Sequence, residues 1–110
     1  MDYSFIDSDK KIEQVCRNLL KEEVIGVDLE SDSLHSFREK ICLIQVATRH
    51  QAFLIDPFKI NNMAPFVRVL ENSKVKTVFH GADYDIRSLD RDYQARVKNL
   101  FDTEIACRFP

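Results

Sequence analysis

The fold of this chain is decided by the stretch VIGVDLE, residues 24–30. Its first residues are β-branched or small and apolar, which is typical of a strand buried on both faces. Side chains alternate between the two sides of a strand, so Asp28 and Glu30 point to the same face at the end of the run. Two like charges this close repel each other, and removing them from water adds to the cost. The pair therefore predicts a divalent metal ion at the carboxyl end of a central strand.

Length and composition indicate one small domain. The chain has 110 residues, of which 45% are hydrophobic and 31% charged, so it has enough apolar residues for a core. A formal net charge of −2 argues against a protein that grips nucleic acid over its whole surface. The same charge is compatible with a protein that holds only a strand end, where metal ions supply the positive charge.

The sequence shows no sign of export or membrane insertion. Residues 1–4 have neither a basic segment nor an apolar core, and no apolar run approaches the roughly 20 residues that cross a bilayer. Cys16, Cys42 and Cys107 lie far apart without metal-ligand spacing, which predicts reduced thiols. We therefore expect a cytoplasmic or otherwise intracellular protein.

Hydrophobic periodicity predicts helices and strands in one α/β domain. A helix follows a cap at Ser8 or Asp9, with an apolar stripe that ends at Leu20. Residues 41–47 and 52–55 are typical of two antiparallel strands joined by a short polar turn.

The second half of the chain continues with a helix capped near residue 62, a strand at 75–79 and a helix from about residue 81. A last helix begins at Asp102 or Thr103. This order predicts a mixed sheet: an antiparallel meander, then a helical crossover to a parallel strand. Helices are expected on both faces because the strands are apolar on both.

A third acid is expected at the same edge of the sheet. On the helix that begins near residue 81, Asp85 lies four residues before Leu89 and shares the face that packs toward the sheet. A carboxylate in a first helical turn also complements the helix dipole, and that alternative stays open. If the strand ending at residue 79 lies beside the one ending at Glu30, Asp85 converges with the strand pair.

Three acids without clustered Cys or His favour Mg²⁺ or Mn²⁺ over zinc. Two such ions roughly 3.5–4 Å apart would activate a water and stabilise the leaving oxygen in phosphodiester cleavage. In that arrangement we expect Asp28 to bridge both ions. Glu30 would hold the ion that activates water, and Asp85 the ion beside the leaving group.

Three segments carry a resemblance to a known family. They are the D-x-E of residues 28–30, HGADYDI at residues 80–86 and FDT at residues 101–103. In these segments the chain resembles the ribonuclease D-like branch (DEDDy) of the DEDD superfamily of 3′-5′ exonucleases, closely its exosome-associated members. The resemblance covers nearly all of the chain. It implies a ribonuclease H-like fold, a mixed sheet flanked by helices, with Asp28, Glu30 and Asp85 as catalytic and metal-binding residues.

One part of the family pattern is missing from these 110 residues. The third motif supplies a fourth metal-binding aspartate, with a tyrosine, or a histidine in sister branches, four residues before it. In the family this motif lies well beyond the helix that starts at Asp102, and Tyr84 and Tyr93 lie on the wrong helix to replace it. The resemblance thus implies that residues 1–110 are a partial, C-terminally truncated 3′-5′ exonuclease domain.

The implied function is hydrolysis of phosphodiester bonds at the 3′ end of single-stranded RNA, with DNA left open, by two Mg²⁺ or Mn²⁺ ions. The products would be nucleoside 5′-monophosphates, and we expect the isolated chain to be impaired. The alternative is a catalytically inactive nucleic-acid-binding or scaffolding fragment of the same fold. A different ribonuclease H-like nuclease is disfavoured by the segments at residues 80–86 and 101–103.

Leu29, His35 and His80 are the predicted substrate-binding residues. In the family, the residue at the position of Leu29 contacts the 3′ nucleotide, although core packing alone would explain Leu29. His80 ends a strand beside Asp85 and is equally suited to a structural hydrogen bond. His35 lies in the polar loop after Glu30, where a solvated loop is the alternative to a nucleotide contact.

The end of the chain leads to one expectation about partners. Ile105, Ala106 and Phe109 would be poorly covered in a truncated domain. Uncovered apolar surface favours association, so we expect self-association through the C-terminal side.

Overall fold

A computed structural model describes residues 3–32 and 39–106 of the chain. The described residues form one six-stranded sheet with helices packed against it. The strands are β1 (Tyr3–Ile6), β2 (Val24–Asp32), β3 (Lys40–Ala47), β4 (Ala52–Ile55), β5 (Lys76–Phe79) and β6 (Leu100–Asp102). The helices are α1 (Asp9–Leu19), α2 (Ala64–Leu70), α3 (Ala82–Tyr93) and α4 (Thr103–Ala106), and a 3₁₀ turn covers Pro57–Lys59.

The sheet is mixed, as predicted. Its strand order is β1-β4-β3-β2-β5-β6. β2, β3 and β4 form the antiparallel meander, and β5 lies parallel to β2 on the other side. A parallel neighbour requires a crossover, because the chain must return to the same end of the sheet, and α2 lies in that crossover. β2 is therefore a central strand, as its sequence indicates.

The two edge strands are absent from the sequence-based prediction. β1 pairs in parallel with β4, and β6 pairs in parallel with β5. β6 has only three residues, and β1, although as long as β4 and β5, is exposed at three of its four positions, so neither has the buried apolar run that predicts those two strands. Their extended conformation depends on pairing with a neighbouring strand, and that is a tertiary contact.

β2 alternates between a buried face and an exposed face. Ile25, Val27 and Leu29 belong to the core, while Asp28 and Glu30 are exposed. The expectation of a strand buried on both faces is therefore wrong, and the helices of the described residues leave this second face open. The reason is that the apolar residues before Asp28 lie on both faces, so an apolar run does not distinguish one-sided from two-sided burial.

We call the exposed side of the sheet the open face. The pairing registers place one residue of each strand in a single row across it. The row reads Tyr3, Ala52, Ala47, Gly26, Val78 and Phe101. Its ends are aromatic and its middle residues are small, so the centre of the open face is recessed.

The predicted stripe of the first helix is confirmed in its main part. The side chain of Ser8 accepts a hydrogen bond from the backbone N–H of Lys11 at 3.2 Å, which caps α1. Leu20, predicted at the end of the stripe, is instead 39% exposed, because it lies at the C-cap. The buried members are Ile12, Val15, Cys16 and Leu19. No helix within residues 3–32 and 39–106 has the length and apolar character to cross a membrane.

Replacing Ile25 by Ala tests the two faces of β2. We expect the free energy of unfolding to fall by about 2–5 kcal/mol, because Ile25 is fully buried and its loss leaves a cavity. Val24→Ala, one residue earlier and 47% exposed, is the matched control, with an expected loss below about 1 kcal/mol. Urea denaturation followed by circular dichroism measures both. Equal losses would contradict the assignment of the faces.

Candidate metal centre

The two acids of β2 lie on the open face. Across the ladder, Asp28 pairs with Gln45 and Glu30 pairs with Leu43 of β3, and both acids are exposed. The register shifts directly after them, between Glu30 and Ser31. A bulge bends a strand and redirects the side chains beyond it. Regular alternation therefore ends just past the two acids.

Asp85 approaches the strand from α3. It lies in the first turn of this helix, is 7% exposed and is buried on the same side as Leu89, as predicted. Burial, and after it the negative charge of Asp28, raise the pKa of Asp85 to about 6. Such an electrostatic effect requires nearby charges. The structure thus brings Asp28 and Asp85 near each other beside the middle of β2, and not at its carboxyl end as predicted, because β2 continues to Asp32.

Glu30 is not among the charges that raise the pKa of Asp85. Within the described ranges, no group of three or more His, Cys, Asp or Glu side chains is placed to hold a metal ion. Two steps along a strand advance the backbone by about 6.6 Å, so Asp28 and Glu30 occupy successive outward positions on one face. The charge of Glu30 instead affects a thiol on β3. Burial raises the pKa of Cys42, and the charges of Asp32 and Glu30 raise it further.

The thiols fit the expectation of reduced cysteines for two positions. Cys16 is buried, Cys42 is partly buried, and both are free. Cys107 lies outside the described residues.

The donor set of the close pair fits a hard divalent cation. Asp28 and Asp85 offer carboxylate oxygens alone, and these are the ligands that Mg²⁺ and Mn²⁺ prefer. Two acids held close together, one of them buried, repel each other when both are ionised. A cation between them would remove that repulsion, so we assign the pair as the centre of the candidate metal site.

A carboxylate from β6 holds the start of α3. Asp102 accepts hydrogen bonds from the backbone N–H of Gly81 at 3.0 Å and from that of Ala82 at 2.8 Å. These bonds, the Ala82 bond foremost, keep the pKa of Asp102 below its usual value. The first turn of α3 carries Asp85, so Asp102 anchors the segment that presents the buried acid.

Gly81 is the residue that lets this anchor form. It occupies the N-cap of α3 with φ of 69°, in the left-handed region that glycine enters without strain. A Cβ at this position would lie 2.6 Å from Oε2 of Glu104. Gly81 has no side chain to cap the helix, and the cap comes instead from Asp102, 21 residues away.

The anchoring role of Asp102 is missing from the sequence-based prediction. Periodicity indicates only a local cap for the last helix, and Asp102 does accept from the N–H of Glu104 at 2.9 Å. The only hint in the sequence is that Gly81, at a helix start, has no capping side chain. That hint says a cap is needed and does not identify its source.

The predicted substrate-binding residues occupy different environments. His80 is exposed, and its Nδ1 lies 2.8 Å from Oγ1 of Thr103. His80, Thr103 and Asp28 line a cavity of about 320 Å³ on the open face. Leu29 is 7% exposed and packs in the core, on the opposite side from Asp28. His35 lies outside the described residues.

Comparison with known sequences identifies relatives along almost the whole chain. Residues 3–109 match a family model described as 3′-5′ exonuclease. The exosome complex component 10 homolog of Caenorhabditis elegans is 38% identical over 106 residues, which are 96% of this chain and 12% of that protein. The exosome complex exonuclease RRP6 of Saccharomyces cerevisiae is 35% identical over 100 residues, 90% of this chain and 14% of that protein. The chain thus spans a small part of the length of these relatives.

Comparison with solved structures gives the same picture. The catalytic core of RRP6 from Trypanosoma brucei matches with a TM-score of 0.92 and 37% identity, over 97% of this chain and 30% of that chain. RNase D of Escherichia coli matches with a TM-score of 0.91 and 23% identity, over 99% of this chain and 29% of that chain, and shares the fold.

Replacing Asp85 by Asn tests the buried charge in metal-free solution. The pKa of Asp85 is about 6 in the folded chain against an ordinary value of 3.8, so the folded state retains this proton to higher pH. Its stabilising contribution is present at low pH and is lost as the pH rises through about 6. We expect Asp85→Asn to raise the free energy of unfolding by about 1–3 kcal/mol at pH 8 and by much less at pH 4.

Asp90→Asn is the control for this prediction, since Asp90 is exposed on the same helix. We expect it to change the free energy of unfolding by less than about 0.5 kcal/mol at either pH. Urea titrations at pH 4 and pH 8 compare the variants. An Asp85→Asn effect that is the same at both pH values would contradict the raised pKa.

Proposed function

Because the chain belongs to the 3′-5′ exonuclease family, we propose that it forms the metal-binding part of an exonuclease that removes nucleotides from 3′ ends. The observation that carries this proposal is the buried Asp85 beside Asp28, in the middle of the central strand β2. RNA is the proposed substrate, because the matching segments resemble the ribonuclease D-like branch. The yeast relative is named an exosome complex exonuclease, which agrees with an intracellular location.

Divalent metal ions are general in this family. We propose that Asp28, Glu30 and Asp85 hold two Mg²⁺ or Mn²⁺ ions, with Asp28 and Asp85 at the centre and Glu30 at the edge. When bound, the ions would lower the pKa of an attacking water and stabilise charge on the leaving oxygen. With a pKa of about 6, Asp85 is ionised at neutral pH and ready to bind a cation.

The substrate-binding proposal rests on His80 and on the backbone at Leu29. His80 is exposed and lines the same cavity as Asp28, a position suited to the terminal nucleotide. The Leu29 side chain is buried, so the contact proposed for this residue is made by its main chain. His35 stays a prediction. A single-stranded 3′ end is the proposed ligand, since such ends are bound by backbone and stacking contacts with little base readout.

We propose that residues 1–110 are a partial exonuclease domain, with the first two motifs present and the third absent. Support comes from the share of the Trypanosoma brucei catalytic core that the chain covers, 30%. In this proposal the chain alone is impaired. The alternative, a catalytically inactive nucleic-acid-binding or scaffolding fragment, is favoured by one observation: the described residues assemble no group of three metal-binding side chains.

An activity comparison separates these two functions. One protein is the 110-residue chain, and the other is this chain joined to the segment that follows the matching region in the Trypanosoma brucei catalytic core. We expect the joined protein to release labelled mononucleotides from a 3′-labelled oligoribonucleotide with Mn²⁺, and the short chain to show little or no turnover. Asp28→Asn in the joined protein should lower the rate at least about 100-fold, because a metal ligand is lost.

Asp90→Asn in the joined protein is the control and should retain the rate, because Asp90 lies on the exposed side of α3. An inactive joined protein that still retains RNA on a filter would exclude the enzyme and support the binding fragment. Rapid release of mononucleotides by the 110-residue chain alone would show that the third motif is dispensable.

We also propose that the chain associates with a second copy through its C-terminal side. Leu100, Phe101 and Ile105 are 47%, 41% and 54% exposed. β6 is the last strand of the sheet, so its outer edge has no partner strand in the described residues. Exposed apolar side chains beside an open strand edge favour pairing between copies. The side chains of Ala106 and Phe109, also named in the prediction, lie outside the described part.

Ile105→Lys tests this association. We expect the native chain to show a sedimentation coefficient that rises with protein concentration, and Ile105→Lys to abolish that dependence, because a charge in the contact must be desolvated. Phe58→Lys is the control, since Phe58 is also exposed, at 65%, but lies in the 3₁₀ turn. A monomer at all concentrations, or equal effects of both variants, would refute this contact.

A further inference from the structure

The hydroxyl of Thr103 lies within hydrogen-bond distance of two groups: a carbonyl oxygen, which can only accept, and a ring nitrogen, which can donate or accept. Its Oγ1 lies 3.1 Å from the carbonyl oxygen of Phe79 and 2.8 Å from Nδ1 of His80. A carbonyl oxygen only accepts, so both contacts are hydrogen bonds at once only when the single hydroxyl proton of Thr103 goes to Phe79. The contact with His80 then needs its proton from the ring, and His80 Nδ1–H is the donor.

We infer that Thr103 is a positioning residue that holds neutral His80 in the tautomer with the proton on Nδ1. In neutral imidazole only one ring nitrogen carries a proton, so Nε2 is then a hydrogen-bond acceptor. The residues that the structure describes provide Nε2 with no hydrogen-bond partner, and His80 is exposed. The lone pair on Nε2 of His80 is thus available as an acceptor at the cavity that His80 and Asp28 both line.

The backbone around His80 is held on both sides, which makes this arrangement stable. The carbonyl oxygen of Phe79, just before His80, accepts a hydrogen bond from the Thr103 hydroxyl. The N–H of Gly81, just after His80, donates to the carboxylate of Asp102 at 3.0 Å. Asp102 and Thr103 are consecutive residues at the junction of β6 and α4. One short segment therefore anchors the helix that carries Asp85 and also orients the ring of His80.

The tautomer decides which substrate atom neutral His80 can bind. An acceptor at Nε2 pairs with a group that carries a proton, such as a ribose hydroxyl or a water molecule. A phosphodiester oxygen carries no proton at neutral pH, so neutral His80 has no hydrogen to donate to it. This consequence rests on the proposed function and points to a hydroxyl of the terminal ribose as the partner, while the tautomer itself rests on geometry alone.

Nitrogen NMR of the histidine rings tests the inference without metal or RNA. The chain contains three histidines, so His35→Gln and His50→Gln variants assign the signals of His80. At a pH where the rings are neutral, we expect the Nδ1 of His80 to show the shift of a protonated nitrogen and Nε2 that of an unprotonated one. His50 is the internal control, because it is exposed in the turn between β3 and β4 and its ring has no hydrogen-bond partner among residues 3–32 and 39–106.

Variants of Thr103 test whether its hydroxyl sets the tautomer of His80, or whether Thr103 contributes only to folding. Thr103→Val keeps the shape without the hydroxyl and should return His80 to the tautomer mixture of His50, whereas Thr103→Ser should keep the Nδ1–H form. A His80 that carries its proton on Nε2 in the native chain would overturn the inference, whatever the variants do. An unchanged tautomer in a folded Thr103→Val would overturn it as well. Loss of exonuclease activity plays no part in either outcome, so failure of the proposed function is recognised separately.

Discussion

The alternation of side chains along β2 is the constraint on which the rest of the structure depends. Every second residue, Ile25, Val27 and Leu29, contributes to the core, and the intervening positions include Asp28 and Glu30 on the open face. A shift of register by one residue would place the acids in the core and the branched side chains in water. The packing that stabilises the domain thus also sets the position of the acids: β2 packs into the core with one face and carries the acids of the candidate metal site on the other.

The candidate site combines a destabilising contact with a stabilising one. Asp85 is buried beside another acid, which opposes folding when both are ionised. The first turn of α3 is nevertheless held in place, because Asp102 accepts from two of its free backbone N–H groups. Local cost at a functional position, compensated by contacts elsewhere, is what a site prepared for a cation would show.

The features that the sequence predicts here are those with a local period. The helix stripe and the inward face of Asp85 follow from spacings of three or four residues, the meander from a short polar turn, and the parallel β5 from the helical crossover before it. The features that the sequence does not predict depend on partners far along the chain. They are both edge strands, and the hydrogen bond from the N–H of Gly81 to the carboxylate of Asp102, 21 residues away. The open face is not predicted for another reason. Val24 and Gly26 lie on this face but are apolar, so the sequence alone does not show that their side of β2 is uncovered.

The capped start of α3 has a consequence for how this protein could handle a phosphate group. The first N–H groups of a helix form a natural anion-binding site, and many nucleotide-binding folds use them to bind phosphate. In this chain the protein's own carboxylate, that of Asp102, already occupies two of them, those of Gly81 and Ala82. A phosphate group that reached this helix start would meet the carboxylate of Asp102 in place of those two N–H groups, so the start of α3 is poorly suited to bind it.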